Sequence, residues 1–213
     1  MSIYTVAITG ASGAPYALRL LQVLLQGGHR IYLCITSDGL KIMNDEAGIL
    51  LKGSETDIQH ALERHFAVPS GQLRYFDEEN MYTPIASGSA PVDAMVVVPC
   101  SMKALGAIAN GFASNLIERA ADVMIKEKRT LILVPREMPL SQIHLRNMLA
   151  LAEAGCHIVP AMPGFYHRPK HLQDIVDFVV GRVLDAMGVE NTIAVRWGLS
   201  DPGEVFGAGS HEQ

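Results

Sequence analysis

Five stretches rich in Val and Ile recur along the chain: Tyr4–Thr9, Arg30–Thr36, Ala94–Pro99, Thr130–Val134 and His157–Met162. None alternates strictly between apolar and polar, the pattern of strands covered on both faces. LRYF, Leu73–Phe76, is a shorter sixth strand candidate. Segments with helical spacing lie between these runs: Pro15–Gln26, Thr56–His65, Leu105–Ala109, Asn115–Lys128 and Ser141–Ala154. A last one extends from Lys170 to Met187. Alternating strands and helices predict a parallel sheet with right-handed crossovers. The expected fold is α/β, a Rossmann-like three-layer αβα sandwich with a mainly parallel sheet. It is expected to form a single domain over residues 1–200. The Gly-rich end, residues 201–213, reads as a tail, ordered only by a neighbouring subunit if at all.

Composition adds limits rather than detail. The chain has 213 residues, of which 49% are apolar and only 18% charged, against a usual charged share of about 25%. Two readings of this weigh equally: surface hidden in subunit contacts, or a sheet covered on both faces. The net charge of −5 gives no basic footprint for nucleic acid. No apolar run approaches the ~18 residues of a membrane span. Cys34, Cys100 and Cys156 sit in or beside apolar runs without paired spacing, as buried thiols of a reducing compartment do. The expectation is a soluble, cytoplasmic protein. Eight histidines are scattered, and HExxH, GxSxG and P-loop patterns are missing. No metal site is expected.

Candidate chemistry gathers where strands end, because ligands of open α/β sheets bind at the carboxyl ends of strands. In LVPREMPLS, Leu133–Ser141, Arg136 and Glu137 follow an apolar run and lie between two prolines that stiffen the loop. In TGASGAPYA, Gly10 and Gly13 flank Ser12 ahead of a helix start, and free amides at that start would suit a phosphate. The pattern is not GxGxxG, so the dinucleotide fingerprint is incomplete. Ser37 and Asp38 follow the second run. Asp38 suits either a ribose or a helix N-cap. Glu46 by itself reads as a solvated helix residue. Ser101 and the backbone of Met102, Lys103 and Ala104 form a second anion cradle or an ordinary capped helix start.

Arg119 and Lys126 share one helix stripe. They face an anion or belong to a solvated face with an Asp122–Lys126 pair. Tyr166 and Lys170 have the YxxxK spacing of short-chain dehydrogenases, but Pro169 between them argues against a shared helix face. Arg182 lies beside an apolar helical stripe, where it reaches a phosphate or extends to water. Trp197 is the sole tryptophan and reads first as a packing residue.

TGASGAPYA, PCSMKALGAIANGF, SNLIERAADVMIKEKRTLILVPREMPLS and MPGFYHRP, in that order, resemble the UbiX/Pad-type flavin prenyltransferases from Tyr4 to Trp197. Relatives often have Thr where this chain has Ala104. The resemblance implies a homo-oligomer, typically a dodecamer, with active sites at subunit contacts. It implies metal-independent transfer of a dimethylallyl group from dimethylallyl monophosphate to N5 and C6 of reduced FMN. The product, prenylated FMN, would serve UbiD-type decarboxylases, including that of ubiquinone synthesis. By the same resemblance FMN would contact Gly10, Ala11, Ser12, Ser37, Ser101, Met102, Lys103, Ala104 and Arg136. The prenyl phosphate would meet Lys126, Tyr166 and Arg182, with Arg119 and Arg136 nearby. Glu46 and Glu137 would handle protons, with Ser12 beside them, and Trp197 would wall the prenyl pocket. The alternatives are an FMN-dependent cysteine decarboxylase of the same fold, a non-enzymatic FMN carrier and a nicotinamide dehydrogenase. The decarboxylases' PxMNxxMW motif is replaced here by PREMPLSQIHLRNM.

Overall fold

The computed structural model describes residues 1–198. The predicted tail, 201–213, lies outside them. Six parallel strands form one sheet: β1 (Ile3–Ile8), β2 (Arg30–Ile35), β3 (Leu73–Asp77), β4 (Ala94–Cys100), β5 (Thr130–Pro135) and β6 (His157–Ile158). Their order is β3-β2-β1-β4-β5-β6. Helices α1 (Ala14–Gln26), α2 (Ser37–Ala47), α3 (Glu55–Phe66) and α7 (Leu172–Ala186) pack on one face. Helices α4 (Met102–Ala109), α5 (Leu116–Lys126) and α6 (Gln142–Glu153) pack on the other. The predicted three-layer sandwich is therefore what the chain forms.

The strands do alternate, but between two apolar cores. Val6, Ile8, Leu33, Ile35, Val96, Val98, Ile132 and Val134 join the α1/α7 side. Ala7, Cys34, Met95, Val97, Leu131 and Leu133 join the α4/α5 side. Both sets exclude water, so the runs read as continuously apolar. All three cysteines are buried and free. Burial pushes the Cys100 thiol up to about 12, which keeps it protonated and unreactive. Among the described residues no helix is long and apolar enough to cross a membrane.

Several element bounds depart from expectation. Helix α2, implied by Asp38 as a cap and Glu46 as a helix residue, has no predicted bounds, because it fully buries only Gly39 and Met43, with Leu40, Ile42 and Ala47 partly buried. Strand β6 stops at Ile158 rather than Met162. Pro160 has no amide to offer, and only the amides of Val159 and Ala161 continue the bonding to β5. Helix α4 begins at Met102, capped by Ser101, three residues earlier than predicted. Helix α7 begins at Leu172 rather than Lys170, because Asp174 accepts from the amides of both Lys170 and His171 and closes the helix start there.

Helix α6 buries only Leu151. Ile143, Leu145 and Leu149 on it, and Met138 just before it, are exposed in the single chain. A helix with so many uncovered apolar side chains needs another surface against it.

Candidate active site

Helices leave β1 toward one face and β4 toward the other, so a crevice opens between the ends of these adjacent strands. One hydroxyl spans it. Thr9, just past β1 and 1% exposed, donates its Oγ1–H to the Pro99 carbonyl at 2.8 Å and accepts from the Ser101 amide at 2.8 Å. Sequence reasoning passed over this residue. The available signal was a threonine closing an apolar strand directly before Gly10.

Ser101 in turn caps α4, its Oγ accepting from the Ala104 amide at 3.2 Å. The amides of Met102 and Lys103 have no acceptor within the helix, and with the helix dipole they favour an anion at this end. Gly10, Ser37, Ser101, Lys103 and Ala104 line one small cavity with Asp38, Glu78 and Glu118. A Cβ on Gly10 would lie 2.5 Å from the Asp38 Cβ, so only glycine lets this loop lie against α2. The carboxylates here are engaged. Glu78 accepts from the Ser37 amide at 2.5 Å, Glu118 from the Ser114 amide at 2.8 Å, and Asp38 pairs with Lys41 at 2.8 Å. The N-cap of α2 is Thr36, not Asp38.

This mixed lining fits a polyol phosphate. Amides, hydroxyls and Lys103 suit the phosphate, and carboxylate oxygens suit hydroxyl donors. The cavity of ≈ 100 Å³ holds a phosphate or a ring edge rather than a whole flavin nucleotide.

The start of α1 does not offer the free amides expected of it. Glu46 reaches across from α2, and its Oε2 accepts from the amides of Gly13 at 2.8 Å and Ala14 at 2.9 Å. Partial burial pushes the Glu46 carboxyl upward. The Ser12 hydroxyl, these two amides and the Arg136 charge outweigh that, and hold it below its ordinary value of 4.5. Arg136 Nε donates to the Ser12 carbonyl at 3.0 Å. Ser12, Glu46 and Arg136 thus form one linked group, and Glu46 is a helix cap rather than a solvated residue. Glu137 turns outward, accepting from the Met138 amide at 3.0 Å.

The remaining predicted residues lie elsewhere. On α5, Arg119 Nε donates to the Ala86 carbonyl at 3.1 Å and its Nη1 pairs with Asp122 at 2.9 Å. Lys126 pairs with Glu127 at 3.4 Å, so the expected Asp122–Lys126 pair does not form. Beyond α7 a second cavity of ≈ 440 Å³ is walled by Tyr166, Phe178 and Trp197 and lined by Arg182. The Tyr166 ring meets Phe178 at 5.6 Å and Trp197 at 5.0 Å. Tyr166 and Lys170 share no helix, consistent with the objection raised by Pro169. Arg182 lies on the opposite face of the sheet from Arg119 and Lys126. One chain therefore brings together Gly10, Ser12, Ser37, Glu46, the Ser101–Ala104 turn and Arg136 in one region, and Tyr166, Arg182 and Trp197 in another. It does not bring Lys126 to Arg182.

An anion-seeking crevice at the switch point of an all-parallel sheet is the arrangement of α/β proteins that bind nucleotide-like ligands. A model of the flavoprotein family matches residues 3–184. The flavin prenyltransferase UbiX of Halalkalibacterium halodurans is 47% identical over 196 residues, covering 92% of this chain and 93% of that one. The structure of AnUbiX (PadA1) in complex with FMN and dimethylallyl pyrophosphate superposes with a TM-score of 0.81 at 36% identity, covering 94% of this chain and 99% of that chain. The dodecameric FMN-dependent UbiX-like decarboxylase from Escherichia coli O157:H7 gives 0.80 at 41%, covering 92% and 98%. The FMN-dependent cysteine decarboxylase TvaF, at 17% identity and a TM-score of 0.58 over 88% of this chain and 99% of that one, shares the fold alone. The chain belongs to the flavoproteins, and within them to the UbiX-type flavin prenyltransferase family.

Two outcomes follow from this geometry. Thr9→Val leaves the Pro99 carbonyl only the longer bond from the residue 9 amide, at 3.3 Å, and strands the Ser101 amide; it should cost about 1–3 kcal/mol while weakening FMN retention. Chemical unfolding and flavin fluorescence measure both, and Thr9→Ser should restore them. Glu46→Ala should lose about 1 kcal/mol of helix capping, the low end because solvent reaches the carboxylate. Glu46's folded pKa is depressed, so its contribution is present above 4.5 and lost as pH falls through the lower folded value. Unfolding curves of wild type and Glu46→Ala should differ at neutral pH and converge well below 4.5.

Proposed function

We propose that this protein is a flavin prenyltransferase. It transfers the dimethylallyl group of dimethylallyl monophosphate to reduced FMN, and the prenylated FMN passes to a UbiD-type decarboxylase. The observation that carries this over a passive FMN carrier is the second pocket: a coenzyme store has no use for an aromatic chamber with its own guanidinium. The 17% identity to a cysteine decarboxylase gives that rival no support beyond fold.

Reduced FMN supplies the nucleophilic N5 and C6 positions. The protein's part is placement and electrostatics. The amides at the start of α4, with Ser37, Ser101 and Lys103, hold the coenzyme phosphate. Arg136 and the Ser12–Glu46 pair hold the polar edge of the ring. Arg182, Tyr166, Lys126 and Arg119 hold the phosphate of the allylic ester. As its C–O bond breaks, that phosphate leaves with the electron pair, and cationic donors aimed at its oxygens lower the barrier. Tyr166, Phe178 and Trp197 keep water from the electron-deficient allyl group. Glu137, at the loop tip, accepts the proton released on ring closure.

Because Lys126 and Arg182 sit on opposite faces of one chain, the complete site draws on neighbouring subunits. The uncovered apolar residues of α6 support such an assembly, a dodecamer like that of the Escherichia coli relative. Anaerobic incubation with reduced FMN and dimethylallyl monophosphate should release a flavin heavier by one dimethylallyl unit, read by mass spectrometry. An unchanged flavin mass overturns the reading. Lys126→Ala and Arg182→Ala should each be inactive alone. Refolded together, they should regain part of the activity, because some mixed sites receive both intact cations. No recovery in verified mixed assemblies would mean that the site lies within one subunit.

A further inference from the structure

Three carboxylates line the crevice cavity, and one of them is short of partners. The Asp38 side chain is 58% exposed and pairs with Lys41. Glu78 is engaged by the Ser37 amide. Glu118 differs from both. It is only 6% exposed, and Asn115, the cap of α5, already satisfies its backbone amide at 2.9 Å. Its Oε2 reaches back to the Ser114 amide at 2.8 Å. Its Oε1 has no hydrogen-bond partner among the described residues.

An ionised carboxylate has room for about four hydrogen bonds, and burying one with a single donor is costly. Helix capping accounts for Oε2 alone. Glu118 is part of the cavity wall, so a ligand entering the cavity can bring the missing donor. The chemistry of that donor is restricted. A phosphate oxygen beside Glu118 would be repelled, whereas an alcohol hydroxyl has a proton to give and no charge. Ser101 and Lys103 line the same cavity, at the start of α4 that favours an anion. A ligand that suits both groups carries hydroxyls on the chain next to its phosphate.

We propose that Glu118 is a specificity-determining residue for the coenzyme. Its Oε1 accepts from a hydroxyl of the ribityl chain, so the crevice distinguishes a polyol phosphate from a flavin phosphate carried on a plain alkyl chain. The proposal rests on the reading that this crevice takes FMN, and not on what the aromatic pocket takes.

The test compares wild type, Glu118→Gln and Glu118→Met as intact assemblies. Quenching of flavin fluorescence measures the affinity of each for two ligands: FMN, and a flavin whose unbranched 5-phosphopentyl chain has no hydroxyls. Removing the Glu118 charge acts on both phosphates alike, so the ratio of the two affinities isolates hydroxyl recognition. Wild type should prefer FMN by more than about tenfold. Glu118→Gln keeps an acceptor for the Ser114 amide but makes only an uncharged contact to the hydroxyl, and should shrink the preference about threefold. Glu118→Met has no oxygen to accept with and should shrink it about tenfold. A ratio unchanged in both variants overturns the proposal, whether the two affinities hold or fall together, because Glu118 is then only a cap of α5. Equal wild-type affinities for the two flavins overturn it as well. A wild type that shows the expected preference but forms no prenylated flavin supports the proposal and overturns the transferase reading. A wild type that binds neither flavin overturns both.

Discussion

The chemistry above the sheet depends on how two neighbouring strands are allowed to part. Strands β1 and β4 run side by side, yet their following helices depart to opposite faces. That divergence opens a crevice and leaves backbone groups there without sheet partners. The Thr9 hydroxyl satisfies two of them at once, one as donor and one as acceptor. A buried hydroxyl with both roles filled is inexpensive to hold. In exchange it fixes the start of α4 relative to the loop after β1. The anion-seeking amides, the glycine that lets α2 approach and the Ser101 cap all inherit their positions from that bridge.

Much of the architecture is legible in the sequence, and the reason is physical. Strands buried on both faces must be apolar at every position, so five of six announce themselves in Val and Ile. Helices with one buried stripe do nearly as well. Helix α2 fails this test because it lies at the rim and buries only Gly39 and Met43. Strand β6 was overextended because an apolar run says nothing about which amides find partners once proline intervenes.

The site is less legible, for two reasons. Contacts between residues distant in sequence carry no local pattern. Nothing in KIMNDEAG shows that Glu46 will cross to the start of α1, and nothing in the final helix shows that Asp185 will join Arg182 to Arg196. The second reason is topology. Arg119, Lys126 and Arg182 look alike as isolated cations, and only the fold assigns them to opposite sides of the sheet. Residue identity suggests a charge cluster, and the layer architecture separates its members within one chain.

The Glu46 cap has a bearing on how a coenzyme can enter. Helices α1 and α4 follow the two parting strands, and either start would ordinarily attract a negatively charged group. The protein has answered the first with its own carboxylate, leaving α4 as the receptive one of this pair. A ligand with a phosphate at one extremity therefore meets an asymmetric slot and is sorted head from tail before any ring contact forms. Under the placement proposed for FMN, that polarity sets which edge of the ring faces Arg136.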